Sequence, residues 1–285
     1  HNINKDWEKL EKTAMAYLQV KSFATEENQV LLLDLIQGSI FQRAKIKEDE
    51  KKHLEAAKLY ESLTVRYPKS KYADKALFNA AMNYISADAS EQAIATSNKF
   101  LTQYPNSELA PKMLLSLAGY FDEKFDYANA AKFYELYAQK DPKNALAADA
   151  LFNAALYQEN LKIYASALKN YDRYLELYPS NKDAPVVFFS RGLIMEKLNQ
   201  LTNASKVFED YLKRYGRKSA TGIEAIYRLA RVQRRLGKVD ESNANLAYAV
   251  RASKKLGSGP AAGNHYASKP MFELAEMKFK EYRSI

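Results

Sequence analysis

The chain of 285 residues carries 43 lysine and arginine residues against 34 acidic residues, which gives a formal net charge of +9. Its composition, 47% hydrophobic and 27% charged, is typical of a globular chain and not of a disordered one. The absence of cysteine excludes disulfides, thiolate metal sites and a cysteine nucleophile, and the presence of only nine glycines argues against a phosphate-cradling enzyme fold.

The N-terminal part of the chain predicts two helices that are less regular than those that follow. Residues 5–20 carry apolar side chains at helical spacing and predict the second helix of an incomplete unit. Residues 26–47 predict a long helix whose first free amides are capped by the hydroxyl of Thr25.

A spacing of 37 residues dominates the centre of the chain. Helix-terminating residues recur at this spacing: Pro68, Pro105, Pro142, Pro179 and Gly216. Twelve residues before each of them stands an alanine: Ala56, Ala93, Ala130, Ala167 and Ala204. Large side chains follow each alanine after four and seven residues with one exception, Ser97: Tyr60, Tyr134, Tyr171 and Phe208, then Leu63, Phe100, Tyr137, Tyr174 and Tyr211. We call these sets the alanine column and the aromatic column.

Each period predicts a pair of helices. Apolar residues recur three and four apart between the columns, and proline, which lacks an amide proton, ends the second helix. The alanine column predicts a close crossing of the two helices, and the aromatic column fills the space between neighbouring pairs. Because one hairpin cannot bury both of its faces, the sequence predicts an all-α fold, a right-handed α-solenoid with a period of 37 residues.

This pattern resembles the tetratricopeptide repeat, a helix–turn–helix unit. The small residue in the family's first helix is matched at four positions: Ala81, Ala118, Ala155 and Gly192. Leucine or phenylalanine replaces the family's usual tryptophan. The resemblance implies one superhelix over residues 1–285. Its predicted parts are a partial unit at 1–24, repeats at 25–69, 70–106, 107–143, 144–180, 181–217 and 218–256, and a loop with a C-terminal cap helix at 257–285.

The resemblance also implies a binding surface, because the first helices of this family line a concave groove that usually binds peptides. The implied groove positions are Phe78, Met82, Phe152, Phe189, Tyr227 and Arg231. Phenylalanine stands where chaperone-binding members carry a carboxylate-clamping lysine, so the groove favours apolar or aromatic side chains of an extended or helical segment. The alternative is that these phenylalanines only pack against the neighbouring helix.

Positive charge is concentrated in the C-terminal third. Residues 212–256 contain twelve lysines and arginines against three acidic residues, which equals the net charge of the whole chain. Arg231, Arg234 and Arg235 share a helix face, and the family register aims that face into the groove. Three interpretations remain open: a solvated basic face, a site for an acidic or C-terminal peptide of a partner protein, and a site for nucleic acid or anionic lipid on residues 213–255.

We therefore predict a non-enzymatic protein–protein interaction scaffold that needs no metal or cofactor. The three histidines (His1, His53 and His265) are scattered, and no catalytic constellation accompanies them. A nucleic-acid partner is disfavoured because no recognised nucleic-acid module is present.

A Tyr-Pro-x-Ser motif followed by Ala-x-x-Ala, as in residues 67–76, refines the resemblance. It is similar to the repeat modules of outer-membrane-assembly lipoproteins and Tol-Pal-associated periplasmic proteins. That similarity implies a periplasmic or envelope adaptor in an assembly, secretion, motility or cell-wall machine. A cytoplasmic adaptor is the alternative, and any peripheral membrane association would use a segment outside this chain.

Overall fold

The computed structural model describes residues 3–23, 25–255, 272, 273, 275 and 276. All regular structure within these residues is helical, and the described residues up to 255 form thirteen α-helices. They are α1 (Ile3–Leu18), α2 (Glu26–Asp49), α3 (His53–Arg66), α4 (Ala73–Ser86), α5 (Ser90–Gln103), α6 (Ala110–Glu123), α7 (Tyr127–Lys140), α8 (Ala147–Asn160), α9 (Tyr164–Leu177), α10 (Ala184–Lys197), α11 (Leu201–Tyr215), α12 (Ala220–Arg235) and α13 (Val239–Lys255). The prediction of an all-α solenoid of helix pairs is confirmed.

The helices form two compact units, of which the first ends at Asp141 and the second begins at Pro142. Within each unit, a helix packs mainly against the helices before and after it in the chain. The predicted repeat boundaries remain a prediction. The loop and cap helix predicted for residues 257–285 lie outside the described residues, except that Phe272, Glu273, Ala275 and Glu276 are helical.

The alanine column lies where the two helices of each hairpin approach closely. All five of its alanines are completely buried, as are Ala81, Ala118 and Ala155 on the facing first helices. Gly192 takes the corresponding place on α10, where an added Cβ would lie 2.7 Å from Cε1 of Phe208. Phe208 is itself completely buried in α11, so the surrounding side chains oppose a movement of its ring. The absence of a side chain at residue 192 therefore sets the distance between α10 and α11.

The aromatic column provides the largest buried side chains, and its tyrosines four residues after the alanines, Tyr60, Tyr134 and Tyr171, donate hydrogen bonds to carboxylates. Tyr60 donates to Glu48 at 2.9 Å, and Tyr171 donates to Glu159 at 3.0 Å. In both cases the acceptor lies twelve residues earlier, at the end of the first helix of the same hairpin. Burial, reinforced by the adjacent carboxylate, raises the pKa of both tyrosines. Each hydroxyl therefore stays protonated and donates at neutral pH.

Each turn inside a hairpin contains one residue in the left-handed region. These residues are Lys51 (φ 58°), Asp88 (φ 54°), Phe125 (φ 59°), Lys162 (φ 62°), Asn199 (φ 59°) and Gly237 (φ 79°). The N–H groups of this residue and of the next one donate to carbonyls in the last turn of the first helix. At Lys162 the two distances are 2.9 Å to Glu159 and 2.8 Å to Gln158. This arrangement satisfies carbonyls that a helix end would leave free, and it closes the hairpin within three residues.

The α10–α11 approach predicts the effect of a single methyl group. Gly192→Ala places a Cβ against the Phe208 ring, and we expect a loss of about 1–3 kcal/mol in the free energy of unfolding. The control is Gly119→Ala on α6, where an added Cβ meets nothing within 4 Å. Because alanine is the better helix former, the control should gain about 0.5–1 kcal/mol. Urea unfolding followed by circular dichroism measures both, and equal changes would contradict this account of the approach.

The left-handed turn residues predict a second pair of opposite effects. Lys162→Gly removes the steric cost of a side chain at positive φ and should stabilise the fold by about 0.5–1 kcal/mol after the entropy of the unfolded chain is subtracted. Gly237→Ala introduces that cost and should destabilise by about 1–2 kcal/mol. Thermal and urea unfolding of both variants check the signs. A destabilising Lys162→Gly would show that its side chain contributes more than the strain costs.

Candidate functional site

The predicted groove residues of the first unit are Phe78 and Met82 on α4. Phe78 is only 5% exposed, and its ring lies 5.7 Å from that of Phe100 on α5. The ammonium group of Lys112 on α6 lies 5.6 Å from the centroid of the Phe78 ring and covers it. Met82 is partly buried. Phe78 is thus packed within α4–α6, with little of its ring open to a ligand.

Phe152 and Phe189 belong to the second unit and keep part of their surface accessible. The ring of Phe152 on α8 lies 6.2 Å from Tyr174 on α9, and Phe189 on α10 lies 5.7 Å from Tyr211 on α11. Both phenylalanines pack on the second helix of their own hairpin and are partly buried. Both side chains contribute to the core, and the part of each that remains accessible can contact a ligand.

Tyr227 and Arg231 on α12 come together around a carboxylate. The hydroxyl of Tyr227 donates a 2.7 Å hydrogen bond to Oε1 of Glu273, and Nε of Arg231 lies 3.7 Å from the same oxygen. The Arg231 guanidinium also lies 5.8 Å from the centroid of the Tyr227 ring. Tyr227 is 4% exposed, whereas the side chains of Arg231 and Glu273 are about a third exposed, at 39% and 31%. A buried neutral donor and a partly exposed cation thus hold one carboxylate at the protein surface.

The electrostatic surroundings keep the Tyr227 hydroxyl in its donor form. Burial, followed by the hydrogen bond and negative charge of Glu273, raises the pKa of Tyr227 to about 12, against the opposing charges of Arg231 and Arg228. The hydroxyl is therefore protonated at every physiological pH. It can donate to a carboxylate without competing for a proton.

A second acidic residue, Glu196 near the end of α10, anchors other arginines of α12. Glu196 is 8% exposed, and its two carboxylate oxygens lie 3.7 Å from Arg228 and 3.9 Å from Arg235. Arg235 also donates to Oδ1 of Asn199 at 2.6 Å. In the α2–α3 and α8–α9 hairpins, the carboxylate at the position equivalent to Glu196 accepts a hydrogen bond from a tyrosine twelve residues later. In the α10–α11 hairpin that later residue is Phe208, which has no hydroxyl group. Glu196 is therefore paired with the next first helix instead.

The three arginines predicted to act together have different surroundings. Arg231 faces Glu273, Arg235 is tied to the end of the α10–α11 hairpin, and Arg234 is exposed. Among the residues that the structure describes, Arg234 forms no ion pair. Their helix face is shared, but their partners are not.

Two residues in this region were missed by the sequence analysis. The sequence contained a signal for Glu196, because it lies twelve residues before Phe208, where other hairpins pair an acidic residue with a tyrosine. The sequence contained no signal for Glu273, since it lies 46 residues after Tyr227 and outside the repeating pattern.

Two further arginines of the basic region, Arg214 and Arg217, lie against aromatic rings. The guanidinium of Arg214 lies 5.3 Å from the centroid of the Phe188 ring, and that of Arg217 lies 5.4 Å from the Tyr248 ring. The described residues contain no group of three or more histidines or acidic residues that could hold a metal ion. No helix in the described part of the chain has the length and apolar character needed to span a membrane.

The family comparison matches two hairpins of this fold. The tetratricopeptide-repeat profile matches residues 75–107, which include most of α4 and all of α5, and residues 149–181, which include most of α8 and all of α9. The chain contains tetratricopeptide repeats. The family resemblance predicted from the columns is thus confirmed. No curated protein sequence matches this chain.

Several solved structures are similar to this chain at low sequence identity. In a structure of Naa15/Naa10 bound to HypK-THB, the match has 14% identity and a TM-score of 0.53, and it covers 87% of this chain and 36% of that chain. A structure from the functional characterization of Pseudomonas aeruginosa pilF matches with 15% identity and a TM-score of 0.41, covering 83% and 97% of the two chains. YrrB, described as a TPR protein with an unusual peptide-binding site, matches with 17% identity and a TM-score of 0.43, covering 66% and 91%.

The Glu196 pairing predicts that Arg235 stabilises the packing of α12 against α10. Arg235→Glu places a negative charge beside a buried carboxylate, and we expect a loss of about 1–2 kcal/mol in the free energy of unfolding. The matched control, Arg234→Glu, changes an exposed neighbour and should stay within about 0.5 kcal/mol of the wild type. Urea unfolding at low and high salt measures both. Equal stabilities would mean that Glu196 gains nothing from Arg235.

Proposed function

We propose that this protein is a non-enzymatic scaffold that binds an acidic segment of a partner protein on the Tyr227–Arg231 face of α12. The coarser part of the proposal follows from the fold, because tetratricopeptide repeats are protein-interaction modules. The specificity for an acidic segment rests on one observation. The two side chains already hold a carboxylate, that of Glu273, at 2.7 Å and 3.7 Å.

The chemistry of the pair suits a carboxylate better than a neutral group. A hydrogen bond to a charged acceptor contributes about 1.5–3 kcal/mol, roughly twice the contribution of a neutral pair, although partial exposure reduces this at Arg231. The surrounding residues 212–256 carry the excess positive charge of the chain, which raises the association rate of an acidic partner.

The remainder of the binding surface would be apolar. Phe152, Phe189 and Tyr227 occupy corresponding positions on the successive first helices α8, α10 and α12. A partner segment with an acidic residue followed or preceded by aromatic or aliphatic residues would use the accessible edges of the two phenylalanines. An extended or helical segment can present this combination.

The proposed setting is a bacterial envelope machine for assembly, secretion, motility or cell-wall work. Its support is the Tyr-Pro-x-Ser and Ala-x-x-Ala motif of residues 67–76, which resembles envelope repeat modules. A cytoplasmic adaptor remains the alternative. Peripheral association with a membrane would require a segment outside this chain.

The proposal predicts that the partner is recovered from this face and depends on Arg231. A photo-crosslinking amino acid at the exposed position 234 should capture the partner in living cells, whereas one at the exposed position 132 on α7 should not. The captured protein is then titrated against purified variants. Arg231→Gln should weaken binding about tenfold, equivalent to about 1.4 kcal/mol, while Arg234→Gln should change it less than twofold.

Two outcomes would contradict the proposal. Equal affinity of the wild type and Arg231→Gln would remove this face from binding. Capture of nucleic acid, with an affinity that falls steeply with salt, would favour the basic region 213–255 as a nucleic-acid site. The compartment of the captured protein separates the envelope setting from the cytoplasmic one.

A further inference from the structure

Helix α2 begins earlier than the repeat pattern requires. The first helices α4, α6, α8 and α10 begin 37 residues apart, at Ala73, Ala110, Ala147 and Ala184. The same spacing predicts a start at residue 36, but α2 begins ten residues earlier, at Glu26. Because an α-helix rises by about 1.5 Å per residue, this N-terminal extension is about 15 Å long. Residues 26–35 are therefore a feature of α2 that the repeat does not explain.

The extension is apolar on more sides than its neighbours in the chain cover. Residues 30–36 read Val-Leu-Leu-Leu-Asp-Leu-Ile. Leu32 and Ile36 are buried in the same cluster as Ala14 of α1. Three further apolar side chains are exposed: Val30 at 64%, Leu31 at 58% and Leu35 at 45%. Since a helix that is apolar all round is normally buried all round, the packing of α1 accounts for only one side of this extension.

The end of α1 and the turn that follows it add further exposed apolar side chains. Tyr17, Val20 and Phe23 are 47%, 43% and 41% exposed, and the rings of Tyr17 and Phe23 lie 5.1 Å apart. The side-chain amide of Asn28 donates to the carbonyl of Phe23 at 3.0 Å and holds this turn against the start of α2. We call the six exposed residues the N-terminal apolar surface: Tyr17, Val20, Phe23, Val30, Leu31 and Leu35.

The N-terminal apolar surface has the area of one half of a homodimer interface. Its six residues expose on the order of 500 Å², because a large apolar side chain has about 150–250 Å² when it is fully exposed. A homodimer interface of standard size buries about 800 Å² on each protomer, and about 65% of that area is apolar. The apolar area that such an interface requires is thus already present on this end of the first unit.

The charge of this surface favours a copy of itself over a charged partner. Asp34 is the only charged residue within 28–35, and it is paired with Lys71 of the same chain at 2.7 Å. Residues 17–23 contain one charge, that of Lys21. Two copies of the surface therefore do not repel each other, and depletion of charge is typical of the core of an interface between proteins.

We propose that the N-terminal apolar surface is the interface of a homodimer, in which α2 of one protomer packs against α2 of its partner. A two-fold axis perpendicular to the two helices makes them antiparallel and gives both protomers the same contacts. An axis level with residue 33 places Leu31 of each protomer against Leu35 of the other. The interface lies on α1 and α2, so the proposal goes beyond the function proposed for α12.

Sedimentation velocity of the purified full chain tests the association. We expect the wild type to sediment as a dimer at about 100 µM and Leu31→Glu to have a dissociation constant at least about tenfold larger, because two unpaired carboxylates would enter an apolar interface. The matched control is Val186→Glu on α10, which changes a 49% exposed valine outside this surface and should leave the dimer unchanged. Circular dichroism shows whether each variant is folded, and Leu35→Glu is a second variant on the same surface.

Disulfide cross-linking tests the contact between the two α2 helices. The chain contains no cysteine, so a single introduced cysteine can react only with one in another protomer. An equal mixture of Leu31→Cys and Leu35→Cys chains should form mostly the mixed disulfide, since only this pair lies face to face in the proposed dimer. Val186→Cys should not form a disulfide between protomers under the same conditions.

Three outcomes would overturn the proposal. The first is a wild-type chain that remains monomeric at about 100 µM, with a melting temperature that does not depend on its concentration. The second is a dimer that folded Leu31→Glu and Leu35→Glu both leave intact. The third is the absence of every disulfide between protomers at positions 31 and 35. A monomeric chain that is cross-linked at position 31 to a different protein in cells would assign the surface to that protein instead.

Discussion

The close contact between paired helices at small side chains is the constraint on which the rest of this structure depends. Completely buried alanines, with Gly192 as the extreme case, allow each second helix to approach its first helix closely. The aromatic column packs on the first helix of the same hairpin, as the ring contacts of Tyr174 with Phe152 and of Tyr211 with Phe189 show. This packing determines which side of each first helix remains accessible. Tyr227 and Arg231 lie on such a side of α12, so their position follows from packing contacts made elsewhere in the repeat.

The chemistry of the site arises where the repeat departs from its own pattern. Tyrosine hydroxyls satisfy Glu48 and Glu159 inside their hairpins. Phe208 interrupts this pairing, and Glu196 faces two arginines of α12 instead. Arg235, which was predicted to lie on the binding face, is therefore paired with the buried carboxylate of Glu196. Arg231 is the member of the set that is engaged by a carboxylate at the surface.

The sequence predicted those parts of the structure that recur at 37 residues, because repetition averages out the ambiguity of each single helix. Helix pairs and the buried alanines were predictable in this way. The Thr25 cap was predictable from its residue type before α2, and the Thr25 hydroxyl accepts from the N–H of Asn28 at 3.3 Å. The left-handed turn residues were not predictable from composition. Only Gly237 among the six is a glycine, since the two carbonyl-satisfying hydrogen bonds stabilise the turn enough to hold lysine, phenylalanine or aspartate there. The contact of Glu273 was hidden because it is a single long-range pair without periodicity.

Contacts between chain neighbours also determine how such a protein can change over evolutionary time. A hairpin that touches only the hairpins beside it can be duplicated or deleted without redesign of a central core, because each copy presents the same alanine and aromatic surfaces to the next. The Tyr227–Arg231 pair lies on the single helix α12 and contacts Glu273, and all three residues belong to the second unit. Lineages could therefore lengthen or shorten the array while they inherit this recognition element intact. The length of the array and the residues that bind a partner can therefore change independently of each other.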